Sequence, residues 1–272
     1  MARQNMSKTA VKPVAAELLT AHVVRRERVS PNFARITLGG DDLAGFTPMG
    51  FDQWFRLFLP VSDESLSRVP ARLTTLAFLK FLTTSKAHRA VLRNYSVRAF
   101  RADAGELDVD VVLHGSPDDG TAGPASSWAQ TCSPGDAVGL LDEGIGFNPD
   151  PSIREVRLVA DESGLPAAAG ILASLPSDAR GHALLEIPSE EDRQDVTAPE
   201  GVTVEWLVRT GHGVPGALAL EAATALTVPP NPFYGWVVGE SALPTALRRH
   251  WLAGGAPKEN VMFCGYWKHS GR

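Results

Sequence analysis

The texture of the chain changes once, near residue 150, and that change constrains the fold more than any single motif. From Glu17 to about Leu141, short apolar-alternating runs follow one another with turn residues between them: ELLTAHVVRRERV, FARITLGG, FDQWFRLFLP, RNYSVRAF, ELDVDVVLHG and DAVGLLD. Side chains of a strand alternate between two faces, so these runs read as half-buried strands, and the absence of long helices between them predicts an antiparallel barrel or sandwich. Residues 66–92 break the series with a helix-like LTTLAFLKFL and a basic TSKAHRAVL, an excursion between two strands. After GFNPDPS the order becomes strand, helix, strand: REVRLVA runs into DESGLPAAAGILASLP, and HALLEIP, VTVEWLV, YGWVVGE, the helix-like ALPTALRRHWLA and ENVMFCGYW follow. Such alternation predicts parallel βαβ units and a sheet covered on both faces. The expected division is therefore 1–150 and 151–272, with residues 1–16 as a flexible tail.

Composition fits this division and removes several kinds of function. A length of 272 residues with 44% hydrophobic residues supplies two ordinary cores. A net charge of -5 argues against a surface that tracks nucleic-acid phosphates, which needs an excess of Lys and Arg. No apolar run reaches the roughly 18 residues of a membrane span, and LTTLAFLKFL is broken by Lys80, so no membrane insertion is expected. The opening MARQNMSKTAVKPVAAE has no apolar core of an export signal. The two cysteines, Cys132 and Cys264, stand far apart, and a reduced, cytoplasmic protein is the simplest reading. Histidines at zinc-binding helical spacing, a Gly-x-Ser-x-Gly elbow, a Walker loop and an iron–sulfur cysteine set are all missing.

RNYSVR, residues 93–98, is unusual for a strand. Arg93, Tyr95 and Val97 share one face, while Asn94, Ser96 and Arg98 share the other. Two readings stay open on this stretch alone: an exposed edge strand with solvated arginines, or a strand facing an anionic ligand. Further on, VVLHGSPDDGTAGPASSWA places His114 at a strand end, then a Gly-rich loop, then Gly123, Pro124, Ala125 and Ser126 at a short helix start. Free N–H groups at such a start favour an anion, with the Ser126 hydroxyl as a further donor. Trp128 on that helix reads more readily as core than as a ligand contact.

An Arg-x-Tyr-Ser-x-Arg strand followed by His-Gly and Gly-Pro-Ala-Ser-x-Trp-Ala resembles the siderophore-interacting protein family of ferric-siderophore reductases, relatives of the ferredoxin reductases. The resemblance continues through VADESGLPA, WLVR, WVVGES, LRRHW and GYWKHSGR, and so covers nearly the whole chain from Glu17. It implies a six-stranded antiparallel barrel that binds FAD, followed by a parallel-sheet domain that receives NADPH or NADH. Arg93 would meet the FAD pyrophosphate, and Tyr95 would lie along the flavin or ribityl chain. Ser96 and the backbone through Val97 would face the flavin edge, and His114 with Gly123–Ser126 would complete the phosphate site. The expected activity is reduction of siderophore-bound Fe(III) to Fe(II), releasing iron in the cytoplasm. Reduced ferredoxin as the donor, or a siderophore-binding module without turnover, are the alternatives.

In the second half the resemblance places Asp161, Glu162, Ser163 and Gly239 at the nicotinamide nucleotide site. Ferredoxin reductases usually carry Gly-Thr-Gly where this chain has Asp161-Glu162-Ser163, and two carboxylates would repel a phosphate. Charges favourable to a helix N-terminus are the other reading of that pair. Tyr266 and Trp267 read either as pocket walls or as core. For an anionic ferric siderophore the candidate contacts are Arg56, Arg248, Arg249 and Lys268. Where many family members have Gly-Pro-Arg, this chain has Asp142-Glu143-Gly144, which replaces a positive charge by two negative ones.

Overall fold

A computed structural model of the chain describes residues 4–269 apart from positions 15, 73, 212 and 231. It divides into two compact units. One comprises Lys12–Met49 and Gln53–Gly144; the other runs from Ile145 onward and also takes in Gly50–Asp52 and the N-terminal residues up to Val11.

The N-terminal residues 4–11 correct one expectation. Rather than a tail, they include a short helix, α1 (Met6–Thr9), and Asn5, whose side-chain amide donates to the Val261 carbonyl at 2.7 Å and accepts from Phe263 N–H at 2.9 Å. An amide that satisfies both a donor and an acceptor of a strand edge behaves like one more residue of that strand, which a sequence read without partners does not reveal.

The first unit is a single antiparallel sheet of β1 (Leu18–Ser30), β2 (Phe33–Gly39), β3 (Trp54–Leu59), β4 (Val91–Ser96), β5 (Ala99–Arg101), β6 (Glu106–Val112) and β7 (Ala137–Gly144), in the order β4-β3-β7-β1-β2-β6-β5. The two edge strands are consecutive in sequence, with only Val97 and Arg98 between them. Seven flat strands would hold their edges roughly 29 Å apart at about 4.8 Å per step, whereas three residues reach about 10 Å at most. The sheet must therefore curl on itself. The strand count is seven rather than six because β5, three residues long, is too short to give a pattern of its own. Leu107, Val109 and Val111 of β6 point into the barrel core with Ile36, Leu38, Phe55 and Leu57. Asp108 and Asp110 take the alternate face and are also buried, covered by arginines. Arg35 forks onto Asp110 at 2.7 and 2.8 Å, Arg101 onto Asp108 at 2.6 and 2.7 Å, and Arg98 lies 3.4 Å from Asp110. Arg98 of the RNYSVR stretch thus serves barrel closure. Between β3 and β4 the chain makes the expected excursion, centred on α2 (Thr75–Thr83), which Thr74 caps by accepting the Ala77 N–H.

The second unit is a parallel sheet of β8 (Glu155–Ala160), β9 (Arg180–Ile187), β10 (Gly201–Val208), β11 (Phe233–Glu240) and β12 (Val261–Trp267), in the order β10-β9-β8-β11-β12. Following the barrel's short helix α3 (Pro124–Thr131), this unit adds α4 (Leu165–Ser174), α5 (Ala217–Ala225) and α6 (Ala242–Ala253). The sequence reading omitted α5, because ALALEAATA is apolar nearly all round and shows no helical stripe. Every residue of β11 is buried, as expected for a central parallel strand. Strand order reverses between β8 and β11, so the carboxyl ends of these two strands flank the crevice where open α/β sheets bind nucleotides.

Candidate functional site

In the barrel, β4 is an edge strand paired on one side only, with Arg93 opposite Leu57, Tyr95 opposite Phe55 and Ser96 opposite Trp54. The Arg93 guanidinium is exposed. It donates to the neighbouring Leu92 carbonyl at 2.7 Å and has no carboxylate partner among the described residues. Tyr95, Val97 and Trp128 all pack on the barrel core together with Leu113 and Ala125, so one core joins β4 to α3. Burial pushes the Tyr95 phenol well above its ordinary value, with the Arg93 charge acting against it. The Val97 N–H donates to the Gln53 carbonyl at 2.8 Å, leaving its side chain and carbonyl as the groups it can offer.

Helix α3 follows Gly123 and has Pro124 at its first position, and no side chain caps its start. The N–H groups of Ala125 and Ser126 accordingly lack intrahelical partners. The exposed His114 ring sits over Gly123, where a Cβ would come to 3.0 Å from its Cε1. Ser126 differs from the sequence reading. Its buried hydroxyl donates to the His114 carbonyl at 2.9 Å and accepts the His114 N–H at 3.0 Å, so it ties the loop to the helix and presents no free donor. What remains for an anion is an uncapped helix start and, on β4, an unpaired guanidinium. These are the groups a dinucleotide pyrophosphate requires, and the residues fit FAD.

The crevice of the second unit has the opposite character. The buried carboxylate of Asp161, at the end of β8, accepts Ser163 N–H at 2.9 Å, the Ser163 hydroxyl, Glu240 N–H at 2.6 Å and the Trp267 indole N–H at 3.2 Å. Burial, reinforced by the Glu162 charge and opposed by these hydrogen bonds, pushes Asp161 up to about 6. Gly239 serves this arrangement: its φ is +134°, and a Cβ there would lie 2.6 Å from the Asp161 carboxyl. At the start of α5, Glu186 accepts Gly216 N–H and Ala219 N–H, each at 2.9 Å. Next to α6, Glu240 accepts Ala242 N–H at 2.6 Å and His269 N–H at 3.1 Å. Burial works against the Glu240 charge, yet these bonds hold it below the usual carboxylate range.

The starts of α5 and α6, and the turn that leads into α4, are thus each filled by a carboxylate of the chain itself. Of the residues expected at a nucleotide, Ser163 offers its N–H and hydroxyl to the Asp161 carboxylate, and Gly239 leaves the room that carboxylate occupies. Glu162 is held by Arg209, which donates to its two oxygens at 2.9 and 2.8 Å and to Glu186 at 2.6 Å. The sequence reading did not single out Arg209 or Glu186. A lone Glu inside the apolar HALLEIP was the available signal, because a charge in a buried strand needs a partner.

The candidate substrate cations are also partly engaged. Arg56 pairs with Glu143 at 2.5 Å, and Lys12 holds the other oxygen of the same carboxylate. Asp142 beside it is bound by the buried Gln53 amide at 2.9 Å, and its burial pushes it above its ordinary value. Lys12, Arg72, Thr74, Leu141, Asp142 and Glu143 line a cavity of about 280 Å³ in this unit. Arg248 lies over the Phe263 ring at 4.8 Å, while Arg249 and Lys268 are exposed. Tyr266 is pushed well above its ordinary value by burial, and Trp267 donates to Asp161. Among the described residues no group of three or more His, Cys, Asp or Glu side chains is arranged to hold a metal ion, and no helix is long and apolar enough to cross a membrane.

Residues 22–145 match the family described as siderophore-interacting FAD-binding domain, and residues 153–270 the one described as siderophore-interacting protein. Ferric vibriobactin reductase ViuB of Vibrio cholerae is 33% identical over 231 residues, 83% of this chain and 80% of that protein. The NADPH-dependent ferric-chelate reductase of Escherichia coli is 30% identical over 249 residues, 90% of this chain and 91% of that one. Among solved structures, the siderophore-interacting protein SipS from Aeromonas hydrophila superposes with a TM-score of 0.72 at 31% identity, covering 94% of this chain and 100% of that one. A ferredoxin reductase of carbazole 1,9a-dioxygenase shares the fold, with a TM-score of 0.65 at 15% identity. The match to an FAD-binding domain makes this a flavoprotein, and its relatives include ferric reductases. The chain belongs to the siderophore-interacting protein family.

Proposed function

We propose that the chain is an FAD-dependent reductase of iron(III) held by a siderophore, supplied with electrons by NADPH or NADH, and that it releases iron as Fe(II) in the cytoplasm. The observation that carries this reading is the pairing, in a family FAD-binding domain, of the uncapped α3 start with the unpaired Arg93 guanidinium. Bound FAD supplies the conversion between two-electron and one-electron transfer. The protein's own part is to hold and shield. Arg93 and the N–H groups of Ala125 and Ser126 neutralise the pyrophosphate, and His114 and Gly123 shape the loop beside it. Tyr95 and Val97 present an apolar wall from the barrel core, with Ser96 at the end of the same strand.

No proton-transferring residue is needed for outer electron transfer to iron, so the residues act by position and charge. Toward the substrate, Arg56 of the barrel unit supplies positive charge, moderated by Glu143. The donor is recognised by groups other than the helix starts of the second unit, which carry carboxylates already.

The test is a purified, FAD-reconstituted sample given a ferric siderophore and either nicotinamide nucleotide, with Fe(II) trapped by a chromogenic chelator. Nucleotide-dependent Fe(II) formation supports the proposal. A protein that takes up FAD but is reduced only by ferredoxin overturns the donor, and one that binds a ferric siderophore without FAD or turnover overturns the enzyme.

A further inference from the structure

The excursion between β3 and β4 plays no part in the reading above, yet it carries the chain's most uneven surface. Helix α2 is apolar on two sides. Phe78 and Phe81 turn inward, with Phe81 meeting Phe58 edge-on at 5.7 Å in a cluster that also holds Val69, Ala90 and Leu141. At about 100° per residue, Leu76, Leu79 and Leu82 fall within about 120° of one another on the other side. They are 80%, 54% and 45% exposed. A helix apolar all round is normally buried on all sides, and this one is covered on one. Three such leucines expose on the order of 300 Å² of apolar surface, the scale at which a patch rimmed by polar groups marks an interaction site.

The rim is basic. Between Glu64 and Asp103 the sequence has eight Lys and Arg residues and no Asp or Glu, in a chain whose net charge is -5. Four of those cations are matched within the fold: Arg68 by Glu64, Arg72 by Glu17, Arg98 by Asp110 and Arg101 by Asp108. Lys80, on the helix beside the leucines, and Lys86 and Arg89, just after it, have no carboxylate partner among the described residues. Arg89 donates to the Leu82 carbonyl, which holds its charge at the end of the leucine face.

We infer that this face docks on an anionic lipid surface, with the three leucines entering the headgroup region and Lys80, Lys86 and Arg89 pairing with lipid phosphates. The association is peripheral and spans nothing. Charge selects this occupant over a second copy of the chain, whose identical face would set like charges against each other. Apolar side chains at the centre with cations around them are what an interfacial helix needs, and each cation near an anionic bilayer adds a similar increment of binding.

The experiment is sedimentation of the full chain with phosphatidylcholine vesicles, either pure or carrying about one third phosphatidylglycerol. Binding should be about tenfold or more stronger to the anionic vesicles and should fall as salt rises. The variants L76S/L79S/L82S and K80Q/K86Q/R89Q should each lose about tenfold or more of it. The second variant changes only exposed or partly exposed side chains, so it remains informative if the first does not fold. Equal binding to both vesicles, or undiminished binding by the charge variant, overturns the inference. So does a dimer in light scattering that becomes a monomer on leucine substitution, which gives the face to a second copy. Retention on polyglutamate without binding to anionic vesicles gives it to an acidic protein.

Discussion

Replacing Arg209 with Met should destabilise the second unit strongly, and more at high pH than at low. Among the described residues the guanidinium is the only cation bonded to Glu162 and Glu186, whose side chains are 9% and 0% exposed. Glu186 would keep the N–H groups of Gly216 and Ala219, but among the described residues the side-chain hydrogen bonds of Glu162 come from Arg209. Removing one member of a buried ion pair costs about 3–5 kcal/mol, because the remaining charge is left in a low-dielectric site. In the variant, the folded state takes up a proton on that carboxyl more readily than the unfolded chain does. The loss should therefore be full near pH 8 and shrink as pH falls toward about 5. Urea titrations followed by tryptophan fluorescence at both pH values measure this, and Glu162→Gln added to Arg209→Met should recover part of the stability. A loss below about 1 kcal/mol, or one equal at the two pH values, would mean that the cluster is hydrated and the reasoning is wrong.

Other consequences are open to measurement. Arg93→Ala should weaken FAD retention by about 1.5–3 kcal/mol, the scale of a charge-assisted hydrogen bond; unchanged affinity in a fluorescence titration would remove Arg93 from the pyrophosphate. Gly239→Ala should cost about 3 kcal/mol, since it combines positive φ with a Cβ only 2.6 Å from Asp161, and a thermal melt matching wild type would contradict that packing. Glu143→Gln should free Arg56 and Lys12 and raise the second-order rate on an anionic ferric chelate about two- to tenfold at low salt, with the gain fading as salt rises. No gain at low salt would show that these cations do not steer the substrate. Asp161, pushed up to about 6 against an unfolded value near 3.9, contributes stability that is present below about pH 4 and lost as pH rises through about 6. Denaturation midpoints that rise over that window in Asp161→Asn relative to wild type, after the loss of its acceptor bonds is allowed for at pH 4, are the expected sign.

The fold was legible where periodicity and burial agree. β6 could be read from Leu107, Val109 and Val111 alternating with Asp108 and Asp110, and β11 from an unbroken apolar run. Legibility failed for β5, whose three residues are defined by pairing with β6, and for α5, where exposed Ala217 and Ala225 are of the same type as buried Ala219 and Ala223 and so mark no stripe. It failed again for residues 4–11, whose order depends on partners far away in sequence, such as Val261 for Asn5 and Ile145 for Val11. Non-local pairing leaves no mark on a local pattern.

The candidate site was legible by residue type and not by bonding. Arg93, Gly123 and Pro124 are informative because few residues suit an exposed guanidinium on a strand edge or an uncapped helix start. Ser126 and Asp161 have side chains equally suited to a ligand or to the backbone, and only the fold decides between them. In both it decided for the backbone, at His114 and at Glu240. This separates the two halves by their treatment of negative charge. Among the described residues the barrel leaves the start of α3 uncapped and Arg93 without a carboxylate, whereas the α/β unit sets Asp161 in the turn before α4, Glu186 at the start of α5 and Glu240 at the start of α6. A pyrophosphate brought to the second unit would meet carboxylates that already hold the available N–H groups, and binding there would have to displace bonds of 2.6–2.9 Å. The Asp161-Glu162-Ser163 segment is thus a departure from a glycine loop with a physical content: it exchanges a site for an external phosphate for an internal anion that locks β8 to β11.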